Sequence, residues 1–242
     1  MLNGKKVIKF EKVYSALPFI KKFGLFFKWK FYDAKFLKNN PNLFLEFGLT
    51  MFTGRQGAGK TMAMVEHLEQ LRRRYPKALI VTNFGYKHES SSFESWQDLF
   101  DIRNGDEGVI FCIDEIQNEF SSSASKNFPE SLLSEITQQR KQKIKILATS
   151  QVFTRVAKPL REQCFEVVEC FTIAGRWTFC KCFDADDYNA IIDNPDPMKK
   201  MKLRRKWRKN FVQDNEIREF YDSYAKVERM KRTEYIREVK SS

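Results

Sequence analysis

Eight residues constrain this chain more than any other stretch: Gly54-Arg55-Gln56-Gly57-Ala58-Gly59-Lys60-Thr61. They read G-x-x-x-x-G-K-T, the signature of a loop that wraps a phosphate group. The flanks suit that job. Leu49 to Thr53 is apolar and β-compatible, and Met64, Leu68 and Leu71 follow at helical spacing. A strand, a glycine-rich turn and a helix are therefore predicted in that order. Glycines let the turn point its N–H groups inward, and the helix adds the positive end of its dipole. Lys60 is then expected to reach the β- and γ-phosphates of a nucleotide, ATP above all, and Thr61 to hold Mg²⁺.

A second stretch answers the first. Val109-Ile110-Phe111-Cys112-Ile113 is a run of five apolar residues, followed at once by Asp114 and Glu115. Such a run describes a central parallel strand that ends at the ligand edge of a sheet. Asp114 is expected to support the Mg²⁺, and Glu115 to act as the general base that polarises the attacking water. That glutamate points to hydrolysis rather than transfer to a second small substrate. Further on, Ile144 to Thr149 reads as another buried strand, and Gln151 just beyond it is expected to sense the γ-phosphate or place the water. Charge stabilisation by an arginine finger has three candidates: Arg140 first, then Arg155, then Arg161.

Around these motifs the chain falls into three parts: residues 1–45, 46–197 and 198–242. Residues 1–40 hold ten lysines and ten aromatic residues against Glu11 and Asp33. Pro18 suits a helix start, with Ile20, Phe23, Phe27, Phe31 and Ala34 on one face. Three readings stay open for it: packing on the core, a membrane-surface helix, and a subunit or nucleic-acid contact. The middle part adds a strand at Ala78 to Asn83 and a capping box Ser91-x-x-Glu94 opening a short helix. A helix is predicted from Pro129, and a hairpin at Glu166 to Ile173 and Arg176 to Phe183. The last part carries eight lysines and arginines between Lys199 and Lys209, with Trp207 placed for stacking on bases. An amphipathic helix through Ile217, Phe220, Tyr221, Tyr224 and Val227 is expected after it.

Composition narrows the partners. The net charge of +12 favours nucleic acid or an anionic membrane face. Five cysteines are an odd number without framework spacing, and neither His67 nor His88 lies near one. Reduced thiols are expected, without zinc. No apolar run approaches the ~20 residues of a membrane span, and lysines interrupt anything like a signal peptide.

The order of these motifs resembles the FtsK/HerA class of P-loop ATPases. Asn83, Asp114-Glu115-Ile116-Gln117 and Gln138-Gln139-Arg140 are similar to the zonular occludens toxin-like ATPases of filamentous-phage assembly, and viral genome-packaging ATPases share the class. The resemblance covers roughly residues 46–192. It implies a three-layer α/β P-loop NTPase with an additional strand and a catalytic glutamate, here with helical N- and C-terminal appendages. It further implies a homo-oligomeric ring, usually a hexamer, with ATP at subunit interfaces and nucleic acid, DNA foremost, as cargo. The filamentous-phage proteins carry a transmembrane helix after this domain and this chain shows none. A soluble or virion-associated genome-packaging motor is therefore expected, with a capsid or membrane-complex partner. Two alternatives remain: a membrane-associated assembly or secretion ATPase, and a nucleotide-binding structural protein without turnover.

Overall fold

The computed structural model describes residues 17–120, 136, 138–193 and 203–221. Most of the helix expected from Pro129, together with Lys199, Lys200, Lys202, Tyr224 and Val227, lies outside them. The chain divides into two compact units, residues 1–41 and 42–242.

In the first unit, α1 (Phe19–Asn39) starts after Pro18, whose φ of −57° already suits a helix entrance. It runs through Gly24 without a break and buries none of its residues.

The second unit is built on one eight-stranded sheet in the order β3-β2-β4-β5-β1-β6-β7-β8. The strands are β1 (Gly48–Thr53), β2 (Leu79–Thr82), β3 (Ser91–Ser92), β4 (Val109–Ile113), β5 (Ile144–Ser150), β6 (Cys164–Ile173), β7 (Trp177–Asp184) and β8 (Arg205–Val212). The pairs from β3 across to β6 are parallel, and β7 and β8 add on antiparallel. The strand β5 stands between β1 and β4, so the additional strand separates the phosphate loop's strand from the acidic one. The mixed α/β sheet is that of a P-loop NTPase.

Continuous apolar runs are explained by burial on both faces. Along β4, Val109, Phe111 and Ile113 join one core cluster, while Ile110 and Cys112 join the other. The second cluster is capped by α2 (Lys60–Arg74) through Ala63, Met64, Leu68 and Leu71. The first is covered by α5 (Lys158–Glu162) through Leu160 and by α6 (Ala185–Asp193) through Ala185 and Tyr188. All five cysteines are free and buried. Burial pushes the Cys112 and Cys164 thiols up, the latter to about 12, so they stay protonated packing groups at neutral pH.

Two expectations are corrected. Ser91 does not cap a helix: Ser91 and Ser92 pair with Val81 and Thr82 as the edge strand β3. The short helix is α3 (Asp98–Asp101); no side chain caps it, and the Asp98 carboxylate instead accepts from the N–H groups of Glu94 (2.7 Å) and Ser95 (3.1 Å) in the turn before it. Nor are the described residues 203–221 an appendage. β8 completes the sheet against β7, and α7 (Asn215–Glu219) follows it, capped by Asp214. Trp207 stacks on His67, with ring centroids 6.4 Å apart and planes 5° from parallel, and packs against the second cluster. Its ring is committed to α2 and not presented to a base. Within the basic run, Lys206 pairs with Glu166 (3.1 Å) and Lys209 with Glu66, while Arg204, Arg205 and Arg208 are exposed.

Candidate active site

The loop of residues 54–59 leaves the end of β1 and enters α2 at Lys60. Its glycines answer two different demands. Gly57 has φ 77° with nothing within 4 Å of a would-be Cβ, so only the backbone conformation requires it. Gly59, the residue before α2, has φ 79°, and a Cβ there would collide with Thr172 Oγ1 and lie 2.8 Å from Thr178 Oγ1. The β6–β7 hairpin is therefore packed directly onto the phosphate loop. Lys60 is buried at 6% exposure. Its Nζ donates to Arg55 O (3.3 Å) and stands 3.8 Å from Glu115 Oε1, linking the loop to the acidic strand end.

Asp114 is the node of the site. Its Oδ1 accepts from Thr61 Oγ1 (2.8 Å) and Thr149 Oγ1 (2.7 Å). Its backbone N–H donates to Asn83 Oδ1 (2.7 Å), and its carbonyl accepts from Asn83 Nδ2 (3.1 Å). The ends of β2, β4 and β5 and the start of α2 are thus tied through one residue. Next to it Glu115 takes the left-handed conformation, φ 54° and ψ 56°, which costs a non-glycine residue about 1–2 kcal/mol. The hydrogen bond from its N–H to Thr149 Oγ1 (2.8 Å) helps hold it there. Its carboxylate is shared between Lys60 and the side-chain amide of Gln117, which donates to Oε2.

These groups face one cavity of about 580 Å³. From the sequence-predicted set, Lys60, Thr61, Asp114, Glu115 and Gln151 line it, as do the loop residues Gln56, Gly57 and Gly59. Arg55 and Ala58 contribute backbone carbonyls to the surrounding bonds, and Gly54 begins the loop at the end of β1.

The three arginines are not in that cavity. Arg140 lies in α4 (Gln139–Gln142), before the N-terminal end of β5, with its guanidinium 5.6 Å from the Phe47 ring. Phe47 precedes β1, so Arg140 sits at the opposite end of the sheet from the loop and is out of reach within one chain. Arg161 donates to Val156 O (3.2 Å) and covers the Phe153 ring. Arg155 follows the C-terminal end of β5, on the cavity's edge of the sheet, and is exposed.

The far wall comes from residues the sequence did not single out. Thr172 Oγ1 donates to Ala58 O (3.0 Å) and lies 2.8 Å from Thr178 Oγ1. Gln213 Nε2 donates to Thr178 Oγ1 (2.8 Å). Arg218, in α7, donates Nε (3.3 Å) and Nη2 (3.1 Å) to Gln213 Oε1, and Nη2 to Gly175 O (2.5 Å). A continuous chain of hydrogen bonds thus runs from the phosphate loop to a guanidinium in the C-terminal segment, and Thr172, Gln213, Arg218 and Tyr221 all line the cavity. The one local signal was Thr172 and Thr178, polar residues on the strand face that carries Val168, Cys170, Cys180 and Cys182.

Residues 50–172 match the ATPase family associated with various cellular activities (AAA), half of the chain. The chain belongs to this family. It is an ATPase. No curated protein sequence matches it. Among solved structures it is similar to the N-terminal domain of zonular occludens toxin from Neisseria meningitidis, at 18% identity and a TM-score of 0.52, over 73% of this chain and 99% of that one. It is also similar to the genome packaging NTPase B204 from Sulfolobus turreted icosahedral virus 2 in complex with ATP-gammaS, at 10% identity and a TM-score of 0.45 over 58% and 93%. B204 described as the DNA-packaging ATPase from Sulfolobus Turreted Icosahedral Virus gives 10%, 0.44, 61% and 94%. The likeness to zonular occludens toxin expected from the motifs is thus met among solved structures. The toxin likeness bears on the fold alone.

Proposed function

We propose that this ATPase is a motor that moves nucleic acid, DNA foremost, with genome packaging as its setting. The observation that carries the reading is a cavity equipped for hydrolysis in a chain of net charge +12. In this reading the loop N–H groups and Lys60 bind the β- and γ-phosphates, and Arg218 adds a second cation in the same chain. Glu115 takes the proton of the attacking water, and Gln151 senses the γ-phosphate or places that water. Thr61 and Asp114 fit a hard cation, since their oxygens converge within 2.8 Å beside the phosphate loop. Among the described residues no three His, Cys, Asp or Glu side chains cluster, so phosphate and water oxygens would complete the shell of Mg²⁺. Bound there, Mg²⁺ would neutralise phosphate charge.

The exposed Arg204, Arg205 and Arg208 give the sheet's β8 edge a positive rim suited to a phosphate backbone. A ring would bring a neighbour's arginine to the cavity. Arg155 supports that role best, being exposed on the cavity's edge of the sheet. Arg140 would have to act on a neighbour from the opposite edge.

Steady-state hydrolysis with and without DNA tests the reading. The expected result is stimulation by DNA in the wild type, and a fall of at least about 100-fold in Glu115→Gln with ATP still bound. Hydrolysis indifferent to every nucleic acid would leave an ATPase with another cargo.

A further inference from the structure

The helix α1 presents an exposed apolar surface that the proposed function does not use. Of its large apolar residues none is buried; Phe19 is 78% exposed and Phe31 76%. At 100° per residue, Phe19, Phe23, Phe26, Phe27 and Phe31 fall within an arc of about 140°. Four of them form a run of ring contacts, with Phe19 to Phe23 at 6.3 Å, Phe23 to Phe27 at 4.8 Å and Phe26 to Phe27 at 5.3 Å. Outside this arc, Trp29 and Tyr32 make an edge contact at 5.6 Å. Lys21, Lys28 and Lys35 recur every seven residues and line the side away from the aromatic arc. In all α1 carries six lysines against the single carboxylate of Asp33.

An exposed apolar surface of this extent marks an interaction site. Its charge says what covers it. Lys30 and Lys38 fall within the aromatic arc, and Lys21, Lys28 and Lys35 lie outside it, so a protein groove would need acidic groups on several sides at once. A bilayer surface bearing anionic headgroups offers them everywhere, and lysine stems reach up to it while the rings sink below. Trp and Tyr are the residues that settle at the headgroup level. The helix lies along such a surface and does not cross it. Lys28 and Lys30 sit at its middle, where a span would hold them at the bilayer centre. No described helix is long and apolar enough to cross a membrane.

We infer that α1 is an in-plane membrane anchor selective for anionic lipid, joining the ATPase to a bilayer surface. The inference is independent of what the ATPase moves.

Co-sedimentation of the full chain with vesicles of phosphatidylcholine, alone or mixed with phosphatidylglycerol, tests it. Binding is expected to the mixed vesicles and to weaken with salt. Removing each of Lys21, Lys28 and Lys35 as glutamine should lower that binding about five-fold. The triple change Phe23→Ser, Phe27→Ser, Phe31→Ser should lower it by more than about 100-fold, while ATP hydrolysis in solution persists and reports an intact core. Brominated lipid should quench tryptophan emission in the wild type and far less in Trp29→Phe. Absence of binding to the mixed vesicles overturns the inference, as does equal binding by the triple serine variant. Loss of DNA binding, or a change of oligomeric state, in that variant without any vesicle binding would assign α1 to nucleic acid or to a second copy instead.

Discussion

Arg218 lies some 160 residues beyond the phosphate loop in sequence and faces the same cavity. Its guanidinium is held by two neutral acceptors, Gln213 Oε1 and Gly175 O, so these partners do not cancel its charge. A cation so placed strengthens phosphate binding by roughly 1.5–3 kcal/mol, the range of a charged hydrogen bond. Arg218→Ala is expected to weaken ATP about ten-fold or more in a titration with a fluorescent analogue, and Arg218→Lys by less. Unchanged affinity would reduce Arg218 to a latch between α7 and the β6–β7 turn. Glu115 belongs to the same scale. Its strained backbone, the Thr149 hydroxyl under its N–H and the Lys60 ammonium beside its carboxylate hold one acid at the cavity wall.

Among the elements, the seam between α2 and β8 ties the basic end of the sheet to the helix that starts at the phosphate loop. His67 of α2 stacks on Trp207 of β8. Burial lowers its imidazole to about 3, with Lys209 and Lys145 adding to the effect. The unfolded chain takes up a proton near pH 6.5, and the folded chain refuses it until near 3. Stability is therefore intact above pH 6.5 and falls as the pH drops below it, by up to about 1.4 kcal/mol per unit. Between pH 7 and 5, above most carboxylate titrations, thermal unfolding should show a falling Tm in the wild type and a flatter profile in His67→Phe. Parallel profiles would contradict the assignment. The same seam shows where sequence reading stops. β1, β4 and β5 were legible because strands buried on both faces leave unbroken apolar runs, and the loop and Asp114-Glu115 because their chemistry needs fixed spacings. β8 was not. As an edge strand it alternates Trp207, Lys209 and Phe211 inward with Arg208 and Asn210 outward, and the lysines that it half-buries read as a solvated run. Gln213 and Arg218 were illegible for another reason: only the register of β7 on β8 carries them to the loop.

At the scale of the whole molecule, the parts proposed for hydrolysis, Lys60, Thr61, Asp114, Glu115 and Gln151, line one cavity, and a finger from Arg155 would have to cross a subunit boundary. Mixing Glu115→Gln with Arg155→Ala subunits should then restore part of the hydrolysis that each lacks alone, because some interfaces combine an intact base with an intact arginine. No recovery, with both variants assembled, would remove Arg155 from the reading. Coupling to the proposed cargo would have a structural route: the hydrogen-bond chain from Ala58 through Thr172, Thr178 and Gln213 reaches the end of β8, which bears the exposed Arg205 and Arg208. The measurement that bears most directly on a DNA-moving ATPase is displacement of a third strand from duplex DNA, followed with ATP in the wild type and in Glu115→Gln. The account predicts ATP-dependent displacement by the wild type and none by Glu115→Gln, although that variant still binds both ATP and DNA. Hydrolysis of ATP by the wild type on that DNA with no displacement, or displacement by Glu115→Gln at the wild-type rate, would contradict it.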